Sequence, residues 1–269
     1  MDNALDLDAY FHRIQWGGGT TPNYETLAGV LRAHMSSVPF ENLDVLLGRP
    51  IRLDLEGLQQ KLVWARRGGY CFEHGTLFGA VLEAMGFKPV RHTARVIMMT
   101  PRTGAPRTHM FLTVPVAEGR FVVDPGFGAL APRMPVPLQE GVEARIGREA
   151  HWMTRDGSHW ILRTRTAEKE SDCWLSTLEE DNPVDFEMGS HYVATHPGSP
   201  FVNRMMMRAL TADGRVTVAN RDVNIRRGDR DEPVQLADRS ALRTLLRTYF
   251  GFDLPEVEQM PVPSIPEWR

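Results

Sequence analysis

Cys71, His109 and Asp124 are the side chains whose types and order could do covalent chemistry. A nucleophilic cysteine needs a base to take its proton and a third group to orient that base. Cys71 follows the run Arg66-Arg67-Gly68-Gly69-Tyr70. Leu77, Phe78, Val81, Leu82 and Met85 then recur at three- and four-residue steps, which predicts an amphipathic helix. Cys71 falls in the first turn of that helix, where unpaired N–H groups and the positive dipole end favour a thiolate. Gly68 and Gly69 let the entering backbone bend and leave the sulfur uncovered. Cysteine on a helix also serves as a small apolar core residue, and this stretch alone leaves both readings open.

His109 is one of nine histidines. It follows TPRTGAPRT and begins the strand-like run HMFLTVPV, so it sits at a strand edge beside a loop. Asp124 ends the apolar strand of FVVDPGFG, where a carboxylate is costly to bury without a partner. Pro125 favours extended backbone at Asp124, and Gly126 and Gly128 allow close approach. Taken singly, His109 also reads as a solvent-facing strand residue and Asp124 as the start of an Asx turn.

Elements able to position these residues follow from the pattern. Helices are predicted over Leu5–Ile14, from a Thr21 cap and Pro22 through Met35, from an Asp54 cap through Leu62, and from Cys71 onward. No comparable strand signal precedes residue 87. From residue 88 the period changes to two: Val90, His92, Ala94 and Val96, then Met110, Leu112, Val114 and Val116, then Phe121 and Val123. Asp156-Gly157 marks a hairpin between two further runs, and short strands joined by turns predict a small barrel or closed sheet. Asn182-Pro183 opens a helix to about Tyr192. Strands over Arg204–Leu210 and Val216–Ala219 flank Ala212-Asp213-Gly214, and a final helix carrying Leu242, Leu245, Leu246, Tyr249 and Phe250 stops at Gly251. Arg226-Arg227, diluted by Asp229, Asp231 and Glu232, reads as solvated loop, and the proline-rich tail as extended. The resulting division is 1–87, 88–195 and 196–269.

Arg67-Gly68-Gly69-Tyr70-Cys71-Phe72-Glu73, the upstream Val38-Pro39-Phe40-Glu41-Asn42-Leu43-Asp44, His109 before an apolar strand, and Asp124-Pro125-Gly126-Phe127-Gly128 together resemble the arylamine N-acetyltransferase family. The resemblance implies an α+β fold: an N-terminal helical bundle, a central β-barrel and a C-terminal α/β lid around a cysteine-protease or transglutaminase-like core. It implies a Cys71–His109–Asp124 triad, acetyl-coenzyme A as acyl donor, and an arylamine or hydrazine as small-molecule acceptor. Phe40, Gly126, Phe127 and Phe201 match substrate- or coenzyme-A-binding positions, and Glu41 with Arg66, or with the adjacent Arg67, a supporting ion pair. Two departures stand out. Gly75 replaces a usual asparagine one turn after Cys71, with water as its stand-in, and Pro125 replaces a non-proline residue. Rival readings are a transglutaminase-like cysteine hydrolase, an amide synthase of the same fold, and a silent binding module.

Composition bounds the partners. A formal net charge of −3 over 269 residues gives no electrostatic footprint for nucleic acid or membrane lipid. Two cysteines and no CxxC pair make neither a disulfide framework nor a zinc site, so no metal is expected. No apolar run reaches the roughly 18 residues of a membrane helix, and the acidic start MDNALDLDAYF lacks a signal-peptide pattern. The chain reads as cytoplasmic and reduced.

Overall fold

The computed structural model describes residues 5–166 and 169–268; the acidic opening begins in residues 1–4, outside them. Helix α1 (Leu7–Ile14) starts on Asp6, whose carboxylate accepts from the Ala9 amide, and turns Tyr10 and Ile14 inward. Helix α2 (Tyr24–Ser37) begins two residues later than the Thr21-Pro22 pair predicts, because Asn23 accepts from the Thr26 amide at 2.9 Å and takes the cap. Asp54 caps α4 (Leu55–Leu58), which widens into a π-helical turn over Gln59–Trp64. Helix α5 (Cys71–Ala84) is buried along most of its length. Leu27, Leu31, Leu62, Phe72, Phe78 and Val81 are buried in the core these helices share.

Eight strands follow the change of period: β2 (Val90–Val96), β3 (Arg107–Val116), β4 (Gly119–Val123), β5 (Val136–Pro137), β6 (Ala144–Ile146), β7 (Glu149–Asp156), β8 (His159–Arg165) and β9 (Glu170–Ser176). They form one antiparallel sheet in the order β5-β4-β3-β2-β9-β8-β7-β6, nearly closed into a barrel, with β5 lying near β7. Its interior holds Ala94, Phe111, Val122, Met153, Cys173 and Trp174. Asp156-Gly157 makes the expected hairpin, with Gly157 at φ +60°.

Helices α6 (Pro183–Thr195) and α7 (Pro200–Asn203) lead to the lid, whose strands are β10 (Met206–Thr211), β11 (Gly214–Ala219), β12 (Asp222–Arg227) and β13 (Arg230–Gln235), followed by α8 (Arg239–Leu245). The loop reading of Arg226-Arg227 is corrected here. Two of the acidic residues that dilute the pair lie on the neighbouring strand: Asp231 is directly opposite Arg226 and pairs with it at 2.7 Å, and Glu232, opposite Ile225, takes Arg227 at 2.7 Å. Strand β13 is exposed throughout, so no apolar alternation marks it. The tail is no free extension either: Val257, Met260, Val262 and Trp268 are buried in the lid core.

One short segment ties the parts together. Strand β1 (Phe40–Glu41) lies in the helical portion of the sequence yet pairs with lid strand β10. Helix α3 (Leu43–Leu46) then buries Leu43 and Leu46 in the lid core. Between them, Asn42 donates to the Phe201 and Arg204 carbonyls at 2.8 Å and accepts from the Met206 amide at 2.9 Å. A two-residue strand formed by distant pairing leaves no periodicity, which is why that region reads as helices alone.

Candidate active site

Cys71 is the first residue of α5, His109 lies near the start of β3, and Asp124 follows the last residue of β4. The β3–β4 hairpin brings the last two together: His109 Nε2 is 2.8 Å from Asp124 Oδ2. That contact leaves Nδ1 as the ring nitrogen not engaged by Asp124, and the interaction with Cys71 adds to the influences that raise His109. The Cys71 thiol also lies 3.8 Å from the Thr108 carbonyl. Burial alone would push His109 down, but the Asp124 carboxylate and the bonds to Asp124 and Cys71 outweigh it and hold the imidazole up at about 10. A proton therefore rests on His109 at neutral pH.

Asp124 is fully buried and its oxygens are satisfied. Oδ2 also accepts from Trp174 Nε1 at 2.9 Å, and Oδ1 from the Gly126 amide at 3.3 Å. The Gly126 amide thus supplies a donor beside the acid, next to the N–H that Pro125 lacks. Gly126 is required by space: a Cβ there would lie 2.5 Å from the Cys71 Cα. Trp174 carries no sequence signal of its role, since β9 meets β2 at only two residue pairs and their register is a tertiary fact.

Backbone laces the turn before Cys71 to the Phe40 segment. The Gly69 amide donates to Pro39 O at 3.2 Å, and the Glu41 amide to Gly69 O at 2.9 Å. A Cβ at Gly68 would lie 2.1 Å from Pro39 O. Beneath them runs a buried chain. His74 Nε2 donates to Gly69 O at 3.1 Å and Pro39 O at 3.2 Å, so its Nδ1 accepts from His34 Nε2 at 2.8 Å. His34 Nδ1 in turn accepts from the Tyr10 hydroxyl at 2.7 Å. This assignment requires both rings neutral. Burial, helped by the Arg208 cation, lowers His74 to about 4, and burial with the neighbouring His74 holds His34 well below its ordinary value.

Of the two arginines expected to meet Glu41, it is Arg67 that holds it, at 2.7 Å, and the supporting role given to Arg66 is corrected. Arg66 stands at φ +55°, and its carbonyl accepts from Arg13. Arg67 also bridges to Asp44 at 2.8 Å, while Lys61 joins Asp44 at 2.8 Å and Glu73 at 2.7 Å. Glu73 closes the circuit by accepting from the Tyr70 amide at 3.0 Å. An acidic residue three positions into the helix is the sequence signal for that last contact. Although burial opposes it, the cations of Lys61 and Arg67 lower Asp44 to about 2.

Gly75 faces protein rather than the expected water: a Cβ there would meet Met110 Sδ at 2.9 Å. The methionine after His109 fills the space one turn beyond Cys71. Phe127 lies edge-on to His109, with centroids 4.9 Å apart, and Phe40 and Phe201 meet edge to face at 6.2 Å. The Phe40 ring rests 3.4 Å from a Cβ built on Gly128. Cys173 is fully buried in the barrel, and burial pushes its thiol far up. Among the described residues no cluster of three or more His, Cys, Asp or Glu is placed to hold a metal ion, and no helix is long and apolar enough to cross a membrane.

A family model described as N-acetyltransferase matches residues 23–259. The arylamine N-acetyltransferase of Mycolicibacterium smegmatis is 36% identical over 259 residues, covering 94% of each chain. That of Escherichia coli K12 is 32% identical over 254 residues, covering 94% of this chain and 90% of its own. The structure of the Mycobacterium marinum arylamine N-acetyltransferase in complex with CoA superposes with a TM-score of 0.88 at 33% identity, covering 94% of both chains.

Proposed function

The chain belongs to the arylamine N-acetyltransferase family, and from that premise we propose that it moves an acetyl group from acetyl-coenzyme A to an arylamine or arylhydrazine nitrogen through an acetyl-Cys71 intermediate. The observation that carries this reading is the placement of Cys71 at a helix start, within the electrostatic influence of a His109 that Asp124 holds at 2.8 Å and keeps protonated. The CoA complex of the M. marinum relative supports the donor.

In the first half-reaction the Cys71 sulfur, its proton held by His109, attacks the thioester carbonyl. Backbone N–H groups of the first turn of α5 face the oxyanion that forms. The carbon–sulfur bond to coenzyme A breaks, and His109 gives its proton to the leaving thiolate. In the second half the amine nitrogen attacks the acetyl-cysteine, the bond from the acetyl carbon to the Cys71 sulfur breaks, and His109 takes the proton that nitrogen loses, restoring the starting pair. Asp124 fixes the ring throughout and offsets its charge. Phe40, Phe127 and Phe201 form apolar walls for an aromatic acceptor, and Gly126 gives the substrate room over Cys71. Residues 1–87 supply the nucleophile, 88–195 the base and the acid, and 196–269 the lid. Both cysteines are free thiols, which suits a reducing cytoplasm.

Donor alone provides the test. Mixing the protein with acetyl-coenzyme A should release a burst of about one equivalent of coenzyme A per active chain, then turn over slowly. Mass spectrometry should place the acetyl group on Cys71, and Cys71→Ser should abolish the burst. Intersecting double-reciprocal lines with no burst would overturn the covalent reading.

A further inference from the structure

Three fully buried side chains outside the triad form a single file that ends beneath Cys71: Tyr10 of α1, His34 of α2 and His74 of α5. The acyl-transfer steps above use none of them. A buried imidazole is costly unless its nitrogens are satisfied, and here all four ring nitrogens have partners. The far end fixes where the hydrogens sit. His74 Nε2 faces two carbonyl oxygens, of Gly69 at 3.1 Å and Pro39 at 3.2 Å, so it must carry a hydrogen. Charging either ring is opposed by the cations around it: Arg208 and Lys61 act on His74, Arg13 and Arg208 on His34. With both rings neutral, His74 Nδ1 accepts from His34 Nε2 at 2.8 Å, and His34 Nδ1 accepts from the Tyr10 hydroxyl at 2.7 Å. Each hydrogen bond in the file thus dictates the tautomer of the next ring.

This file acts on the chain as it enters α5. The Gly69–Tyr70 peptide is gripped at both ends. Its oxygen accepts from His74 Nε2 and from the Glu41 amide, and its N–H donates to Glu73 Oε2 at 3.0 Å. The oxygen of the following peptide, that of Tyr70, accepts from the His74 amide at 3.0 Å. One residue therefore holds, with its side chain and its backbone, the two consecutive peptides that lead into Cys71, and the second of them carries the Cys71 N–H. The planes of these peptides set the direction of the sulfur and of the unpaired N–H groups in the first turn.

We propose that His74 is a positioning residue for the acylation of Cys71 and that Tyr10, acting through His34, sets its tautomer: the file keeps a donor on His74 Nε2 and so fixes the turn that aims the sulfur and the first-turn N–H groups at the thioester. This deepens the acyl-transfer reading above and rests on it. Donors and nucleophile act at full strength only when they are held in place before the reaction. Without the Tyr10 hydroxyl, His34 Nδ1 loses its donor, and the hydrogen of that ring is free to move to Nδ1. His34 Nε2 then accepts, His74 donates to it from Nδ1, and the bare His74 Nε2 is left against two carbonyl oxygens. A hydroxyl on α1 thereby reaches the reaction through the placement of hydrogens along the file.

The test measures the rate of the coenzyme A burst at saturating acetyl-coenzyme A in wild type, Tyr10→Phe, His74→Leu and His74→Gln, each normalised to its own burst amplitude so that a lowered folded fraction cancels. NMR of nitrogen-labelled histidine at pH 7 reads the tautomers, and wild type should show both buried rings neutral with the hydrogen on Nε2. His74→Leu removes the donor and should slow the burst about tenfold. His74→Gln, whose amide restores an N–H where Nε2 stands, should recover to within about twofold of wild type. Tyr10→Phe should slow the burst about threefold or more and shift ring hydrogen to Nδ1. An unchanged burst rate in either Tyr10→Phe or His74→Leu, with only urea midpoints lowered, would show a purely structural file and overturn the inference. A hydrogen on His74 Nδ1 in wild type would overturn it as well. Should His74→Leu not fold, Tyr10→Phe and the ring spectra decide. Absence of the burst in wild type with the tautomers as stated would instead bring down the underlying acyl-transfer reading.

Discussion

Alanine at Gly75 sets two opposing effects against each other in the helix that carries Cys71. Glycine inside a helix costs about 0.5–1 kcal/mol relative to alanine, so the substitution should help on propensity alone. Space argues the other way. The added Cβ would lie 2.9 Å from Met110 Sδ, 3.0 Å from its Cγ and 3.3 Å from its Cε. Contact with Cγ means that swinging the thioether end aside is not enough. Met110 is fully buried, and its sulfur sits 3.6 Å from the Thr76 hydroxyl. Overpacking of this kind costs about 1–3 kcal/mol, so Gly75→Ala should destabilise by about 1 kcal/mol net. In a Met110→Ala background, itself about 2–5 kcal/mol less stable, the clash is gone and the same substitution should stabilise by about 0.5–1 kcal/mol. The coupling between the two sites is then about 2 kcal/mol. Urea unfolding of the four proteins, with matching slopes, measures it. Additivity within about 0.5 kcal/mol would refute the reasoning that Met110 occupies the place of a side chain at 75.

Trp174→Phe keeps the stacking on Phe111, whose centroid lies 4.1 Å away, but removes a donor from Asp124. Single-turnover acetylation should slow about tenfold, the size of one charged hydrogen bond, and a change under about twofold would count against it. Glu41→Gln breaks the buried pair with Arg67 and should cost about 3 kcal/mol in denaturant unfolding, while alkylation of Cys71 in the surviving folded protein stays nearly unchanged. Acid should destabilise the fold through His74. Its folded value, lowered chiefly by burial to about 4, lies below the unfolded value of about 6.5, so its contribution is present above pH 6.5 and lost as pH falls toward 4. At about 1.4 kcal/mol per pH unit the loss is about 3 kcal/mol. His109 has the opposite sign: held up at about 10 chiefly by Asp124 against the effect of burial, it contributes fully below pH 6.5 and loses that contribution as pH rises through 10. Urea midpoints should therefore peak near neutrality, and a profile flat from pH 4.5 to 7 would contradict the neutral His34–His74 chain.

Local chemistry made much of this protein legible in its residues. The spacing of Leu77, Phe78, Val81 and Leu82 placed Cys71 at a helix start, and the shift to period two near residue 88 placed His109 and Asp124 on strands one hairpin apart. Such inferences hold because helix phase and strand alternation are properties of neighbouring residues. What joins distant segments had no such signature. Strand β1 exists only because Phe40 meets Arg208, and Glu41 is paired with Arg67 because Arg66 is turned away at φ +55°. The same holds for Trp174 on Asp124 and for Met110 in the space beside Gly75. Each depends on the register in which whole strands and helices pack, and a residue's partner across that register is fixed by the shape of the entire core. Arg208 is the sharpest case: in the sequence it is one arginine among methionines, and only the pairing of its strand with Phe40 makes it a buried cation.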